Sequence, residues 1–466
     1  MVFTTRVFVF YFLPLVLLAY YCLPGRRNLF LLAASYVFYG WYQPWFVVLM
    51  FAATVVNYLC GLAMAPAEAS PRRRLAAITV SVTASLALLG FFKYAMFFQS
   101  NLQALLSLFG EGALPVLQVA LPAGISFYIF HCLSYTIDVY RRTAPPVRSF
   151  GDFALFVALF PQLIAGPILR YHTLAVQLVS RSHTLERFSC GAAIFILGFA
   201  KKVLLANKIG PVADAVFAAE SPDALAAWFG VIAYAFQIYF DFSGYSDMAI
   251  GLGRMLGFEF PKNFDGPYRS GSITEFWRRW HISLSSFLRD YLYIPLGGNR
   301  KGPRRTYVNL AVVMLLGGLW HGANWTFVAW GAYHGGLLAL ERAAGKQSLY
   351  HGLPRLLRVT ATFVLVLFSW VLFRSESLDA ALRYFGAMFG GSPSGGSSAL
   401  LGAVIYTRGS WMIMGLCALL AFSPLQGFDW AEKITWGKVI VLLLLFYLSL
   451  ATMFVQAFNP FLYFQF

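Results

Sequence analysis

The sequence predicts an all-α polytopic membrane protein of about 11 to 13 transmembrane helices, with re-entrant or interfacial amphipathic helices among them. Hydrophobic residues fill 59% of the 466 positions and charged residues only 12%, against roughly 25% charge in a soluble domain. The few charges collect between long stretches that have none. Those stretches lack the period-two alternation of a barrel strand, so helices are the form that satisfies a backbone in hydrocarbon.

The first charge-free run, 7–25, is long enough to cross a bilayer and meets Arg26-Arg27 with no Ala-x-Ala-like cleavage site, so it reads as a retained first helix. Run 28–67 has 40 residues, twice what a crossing needs. Gly40 and Pro44 divide it, and Trp41, Tyr42 and Trp45 suit a turn at headgroup depth. Runs 75–92 and 112–137 follow, then shorter apolar stretches near 153–168, 188–206, 225–241 and 359–373. Run 306–340 is long enough for a pair, and 409–428 and 439–466 close the series. The Gly/Ser-rich stretch 390–398 is expected to be a flexible loop. With no repeat and no linker between soluble parts, residues 1–466 read as one integral-membrane domain.

The formal charge of +16 excludes nothing by itself, but in a polytopic chain it reports lysines and arginines held in cytoplasmic loops beside anionic headgroups. Arg72-Arg73-Arg74 and Lys201-Lys202 fit that use, and membrane lipid, not nucleic acid, is the expected partner. Cys22, Cys60, Cys132, Cys190 and Cys417 stand singly in apolar sequence and read as small buried hydrophobes. The seven histidines show no ligand spacing with acids or cysteines, so no metal is expected.

The least membrane-like part is 254–305, where ten basic residues face four acids. Within it, ITEFWRRWHISLSSFLRDYL (273–292) places Ile273, Phe276, Trp277, Trp280, Leu284, Phe287, Leu288 and Tyr291 on one face of a helix, with Arg278, Arg279, Ser285, Arg289 and Asp290 opposite. This is the pattern of an interfacial or re-entrant helix. His281 falls at the stripe's edge, where it could point inward. Arg278, Arg279 and Arg289 are candidates for holding the phosphates of an acyl donor.

Two polar constellations sit in apolar surroundings. In VVMLLGGLWHGANWTF (312–327), His321 stands where an ionisable side chain is costly and marks a cavity or catalytic position. Gly317, Gly318 and Gly322 allow either close helix packing or room for substrate, and Trp320, Asn324 and Trp325 add polar hydrogens at the same depth. His334, on the same run, is a supporting residue. In QIYFDFSGYSD (237–247), Asp241, Ser243, Tyr245 and Asp247 either meet substrate or tie neighbouring helices, and Gly244 is expected to interrupt helical regularity. No Gly-x-Ser-x-Gly elbow and no HExxH is present. A direct acyl transfer with an imidazole as base fits this inventory, since a free imidazole titrates near 6.5.

The stretches LPAGISFYIF (121–130), FPQLIAGPILR (160–170), QIYFDFSGYSDMAIGLG (237–253), SITEFWRRWHISLSSFLRDYLYIPLGGNR (272–300), LLGGLWHGANWTFVAWGAYHG (315–335) and NPFLYFQF (459–466) resemble the membrane-bound O-acyltransferases (MBOAT), in the bacterial branch that acetylates exopolysaccharides. The resemblance implies helices around a central funnel or tunnel in the bacterial cytoplasmic membrane. It implies His321 as the catalytic base and His281, forty residues upstream, as its polar partner, with Trp280 beside it. It further implies acetyl-CoA as donor, no bound cofactor, and a separate periplasmic acetyltransferase of the SGNH type within an exopolysaccharide synthesis complex. Alginate is the leading polymer and bacterial cellulose the other. The competing class is a transporter of polysaccharide or lipid-linked substrate that relays protons through His321, Asp241 and Asp247.

Overall fold

The computed structural model describes residues 1–66, 69–110, 115, 117–345, 347–391 and 396–456. Every regular element among them is helical. The chain forms two compact units, Met1–Gly191 with Leu252–Pro261, and Ala192–Gly251 with Lys262–Phe466.

The first unit carries α1 (Leu13–Cys22), α2 (Arg27–Gly40), α3 (Trp45–Met64), α4 (Pro71–Ser107), α5 (Ile125–Arg141), α6 (Phe150–Ala158) and α7 (Tyr171–Val179). The break between α2 and α3 falls at the Gly40 to Pro44 turn the sequence marks. Helix α3 packs on α4 and α5, and α6 on α2. A buried polar seam joins three of them: Ser81 Oγ donates to Asn57 Oδ1 (2.6 Å) and lies 2.8 Å from Thr136 Oγ1, and Asn57 Nδ2 donates to Ser85 Oγ (3.2 Å). Such bonds hold helices together where lipid removes the hydrophobic drive between them.

Helix α8 (Leu185–Ala200) continues through a π turn, Lys201–Ala206, into α9 (Asn207–Phe217), and α10 (Ala224–Met255) follows. Next come two short helices, α11 (Ile273–Arg279) and α12 (Ile282–Leu288), then α13 (Gly302–His321) and α14 (Trp325–Ala343). Helices α15 (Arg355–Arg374), α16 (Leu378–Met388), α17 (Gly396–Ile405), α18 (Arg408–Ala421), α19 (Gly427–Trp430) and α20 (Trp436–Val455) complete the second unit. The expected loop 390–398 is a turn at Gly390 and Gly391 and is helical again from Gly396, with 392–395 outside the described residues. The motif 459–466 also lies outside them.

Among the described residues, six helical runs are long and apolar enough to cross a membrane: α3, α4, the continuous Leu185–Phe217, α10, α15 and α20. Two bent pairs, Phe8–Cys22 with Pro24–Gly40 (104°) and Ala399–Ile405 with Arg408–Ala421 (59°), raise the number to as many as eight. The 11 to 13 crossings read from apolar runs exceed this because a helix buried in protein is as apolar as one in lipid. Helix α6 shows the effect, with nine residues, too few to span about 30 Å at 1.5 Å each.

Three local expectations are corrected. Gly244 does not interrupt α10, which runs unbroken for 32 residues; a Cβ there would meet the Gly198 carbonyl oxygen at 2.7 Å, so the glycine serves close packing. Lys201 and Lys202 are not headgroup lysines: they lie on the π turn and pair inward with Asp247 and Asp241. Cys22 is exposed, unlike the other four cysteines.

Candidate active site

His321 is the last residue of α13, and its position follows from how α13 and α14 are joined. Residues 322–324 turn the chain, and α14 returns antiparallel along α13. A Cβ on Gly318 would meet the Phe327 carbonyl oxygen at 2.2 Å and one on Gly331 the Met314 carbonyl oxygen at 2.4 Å, so backbones touch at both crossings. Gly317 is different. The nearest atom to its Cβ would be a Leu288 methyl at 3.4 Å, and it faces a cavity.

That cavity, of about 150 Å³, is walled by Trp277, Leu284, Leu288, Val313, Met314, Trp330 and Leu338, with Ser285 and His321 as its polar members. The imidazole is 5% exposed. Aromatic rings hold it edge-on: Trp320 at 4.9 Å, Trp330 at 5.1 Å and Phe373 at 5.1 Å between centroids. Behind Trp330 stands His334 at 4.8 Å. The Trp277 indole N–H donates to His334 Nδ1 (3.3 Å), which leaves the proton of that neutral ring on Nε2. His334 therefore supports two cavity walls and does not line the cavity itself.

The amphipathic helix expected over 273–292 is broken in the middle. Helix α11 ends at Arg279, and α12 starts at Ile282. His281 between them has φ +44°, a left-handed conformation rare for a residue with a side chain. Asn263 holds the break: its carbonyl accepts from Ile282 N (3.0 Å) and its Oδ1 from both Ser283 N (3.1 Å) and Ser283 Oγ (2.9 Å). Glu341, at the end of α14, accepts from Ile273 N (2.7 Å), Thr274 N (2.9 Å) and the Thr274 hydroxyl (2.6 Å), fixing the start of α11.

The break turns His281 wholly inward, against Phe242 (4.7 Å) and Trp320 (5.8 Å). Burial pushes its ring down to about 3, so it stays neutral at physiological pH. His281 and His321 thus both pack against one indole, Trp320, although only His321 lines the cavity. Trp280 packs among Phe276 (5.6 Å), Phe264 (5.0 Å) and Trp370 (5.0 Å), a structural position beside the break.

The remaining candidates scatter. Lys202 and Asp241 form an ion pair with both side chains 2% exposed, and Lys201 Nζ meets Asp247 Oδ2 at 2.6 Å. Both pairs tie the π turn to α10. Ser243 and Tyr245 are buried on α10, and neither lines the His321 cavity. Asn324 is the N-cap of α14, accepting from Thr326 N (3.1 Å) and donating to the Glu376 carbonyl (2.8 Å), while Trp325 is 52% exposed. Of the arginines, Arg279 is engaged by Glu275 (2.9 Å) and the Asp265 carbonyl (3.0 Å), Arg289 by Asp290 (2.7 Å), and Arg278 is exposed. Sequence reasoning placed Lys202 at the headgroups and Trp277 on an apolar stripe, and it missed Asn263, Trp330, Glu341 and Phe373. Of those four, only Glu341 carried a signal, as the lone acid ending a long uncharged run.

Residues 31–373 match the sequence profile of the membrane-bound O-acyltransferase family. The chain is 53% identical over 390 residues to a probable alginate O-acetylase of Azotobacter vinelandii, covering 84% of this chain and 78% of the relative. It is 46% identical over 489 residues to a probable alginate O-acetylase of Pseudomonas putida, each covered in full. A peptidoglycan O-acetyltransferase of Helicobacter pylori is 37% identical over 426 residues, covering 84% and 80%. With a cavity-lining imidazole on the matched segment and multiple apolar helices around it, the chain belongs to the membrane-bound O-acyltransferase family and is a multi-pass membrane acyltransferase.

Proposed function

We propose that this enzyme takes an acetyl group from acetyl-CoA on the cytoplasmic side of the inner membrane and passes it across for O-acetylation of an exopolysaccharide. Alginate is the leading polymer, since relatives at 46% and 53% identity carry that name, and bacterial cellulose is the other. The observation that carries the reading is His321: a nearly buried imidazole on the wall of an otherwise apolar cavity. In the step proposed, an acceptor hydroxyl attacks the thioester carbonyl carbon while His321 takes its proton. The carbon–sulfur bond breaks, and the CoA thiolate leaves and recovers the proton. The apolar wall keeps water from competing as acceptor. His281 acts through Trp320 as a positioning residue. The acceptor hydroxyl belongs to a periplasmic SGNH-type acetyltransferase that then modifies the polymer, to a small carrier, or to the polymer itself.

The transporter reading rested on His321, Asp241 and Asp247 as a proton relay, and the two carboxylates have lysine partners that suit them to tying helices together. The test uses the full chain in lipid nanodiscs with acetyl-labelled CoA and the partner acetyltransferase. Label should pass to the partner, and His321→Ala, inserted at equal level, should lose it by about 100-fold or more. Transfer surviving in that variant removes His321 as base. Alginate accepting label where cellulose does not decides the polymer.

A further inference from the structure

The first unit holds a second pocket that the acyl-transfer chemistry does not use. It is open, about 660 Å³, and lies between the turn that follows α1, the start of α6 and the segment after α7. Three arginines, Arg26, Arg27 and Arg181, share its walls with one carboxylate, Asp152.

Two of these guanidiniums are fixed, and neutral groups do the fixing. Arg27 lies over the rings of Tyr20 (5.2 Å) and Tyr21 (5.8 Å), with Nε 3.4 Å from the Tyr20 carbonyl oxygen and Nη1 3.2 Å from His183 Nδ1. Arg181 lies over Phe258 (4.2 Å) and donates to Asn28 Oδ1 (2.7 Å) and the Gln177 carbonyl (3.1 Å). Asp152 accepts from the Asn28 amide instead (2.7 Å). No carboxylate pairs with Arg27 or Arg181 among the described residues.

His183 adds no charge. The Tyr20 hydroxyl donates to the Leu256 carbonyl (2.7 Å), so toward His183 Nε2 (2.8 Å) it accepts. The imidazole proton is therefore on Nε2, and Nδ1 takes the Arg27 N–H. Burial, then the charges of Arg27, Arg181 and Arg187, hold this ring below its ordinary range and neutral.

Two held guanidiniums on one polar pocket, with neutral partners and no carboxylate to neutralise them, suit a tetrahedral oxyanion. We infer that the Arg26–Arg27–Arg181 pocket binds a phosphate group, carried by an anionic lipid headgroup or by a soluble phosphate ester. A lipid source is favoured by the site's place at the bend of the apolar Phe8–Cys22 and Pro24–Gly40 pair, where Leu15, Leu18 and Leu29 are exposed.

The test places the full chain in nanodiscs of phosphatidylcholine, alone or with phosphatidylglycerol, and in a third arm adds glycerol 1-phosphate to the pure phosphatidylcholine discs. Thermal midpoints are followed by tryptophan fluorescence, and retained lipid by native mass spectrometry. Phosphatidylglycerol alone raising the midpoint assigns the lipid; glycerol 1-phosphate raising it equally assigns a soluble ester. Either gain should weaken by about tenfold in apparent affinity in R27Q/R181Q, and in R26Q, which removes an exposed arginine and keeps the fold. R72Q, which removes an exposed arginine elsewhere, should behave as wild type. The inference is overturned by the absence of any shift, by a shift that persists in R27Q/R181Q and R26Q, or by an equal loss in R72Q, which would mark general surface charge.

Discussion

His281 and His321 approach Trp320 from different elements, and they differ in what they can do with a proton. His321 lines the cavity, where the proposed function has it receive one from a bound hydroxyl. His281 is sealed, and burial holds it neutral down to about pH 3, whereas an unfolded histidine protonates near pH 6.5. Between those values the unfolded chain binds more protons, so the fold loses stability as pH falls through that window. The His281→Gln variant should therefore lose less unfolding free energy than wild type from pH 7 to pH 5, by on the order of 1–2 kcal/mol in chemical denaturation. Parallel pH profiles would mean that the native ring titrates. Of the residue-scale reading, the two histidines were legible because an ionisable group in apolar sequence has few ordinary explanations. Asn324 was misread, since a capping asparagine and a cavity-lining one look alike in a string of letters. Asn263 left no trace, because its role depends on Ser283, 20 residues away, meeting it in space.

At the scale of elements, the α13–α14 pair depends on bare backbone at two crossings. Gly318→Ala pushes a carbon onto a carbonyl oxygen and should sharply lower both yield and thermal midpoint, whereas Gly317→Ala meets only a leucine methyl and should fold normally. Equal yields of the two variants, measured by fluorescence-detected size exclusion, would refute that account. The pairing was readable from sequence, because 35 uncharged residues exceed one crossing. The break at His281 was not. Helical spacing runs through 273–292 without a glycine or proline; the kink is held by Asn263 and the start of α11 by Glu341, both of which bind the backbone from outside the segment. The apolar runs outnumber the six to eight candidate spans among the described residues for a related reason: hydrophobicity records removal from water, and protein interiors and lipid both provide it.

For the molecule as a whole, a net charge of +16 suggested basic loops, yet two lysines are spent inside. Lys202→Ala would strip Asp241 of its buried cation and should cost roughly 3–5 kcal/mol, while Lys202→Met combined with Asp241→Leu should regain most of it. Lys201→Ala should cost less, its side chain being 20% exposed. Chemical denaturation in detergent would measure all three, and a double variant no more stable than Lys202→Ala alone would refute the pairing account. The same distribution of tight and loose contact has a practical outcome for anyone refitting this enzyme to butyryl or longer donors. The glycine side of the chamber offers nothing to carve, because backbone lies directly behind it. Extra room can come from trimming Leu284, Leu288 or Leu338, none of which packs on the imidazole ring, so under the proposed function donor length and the placement of the imidazole can be tuned separately.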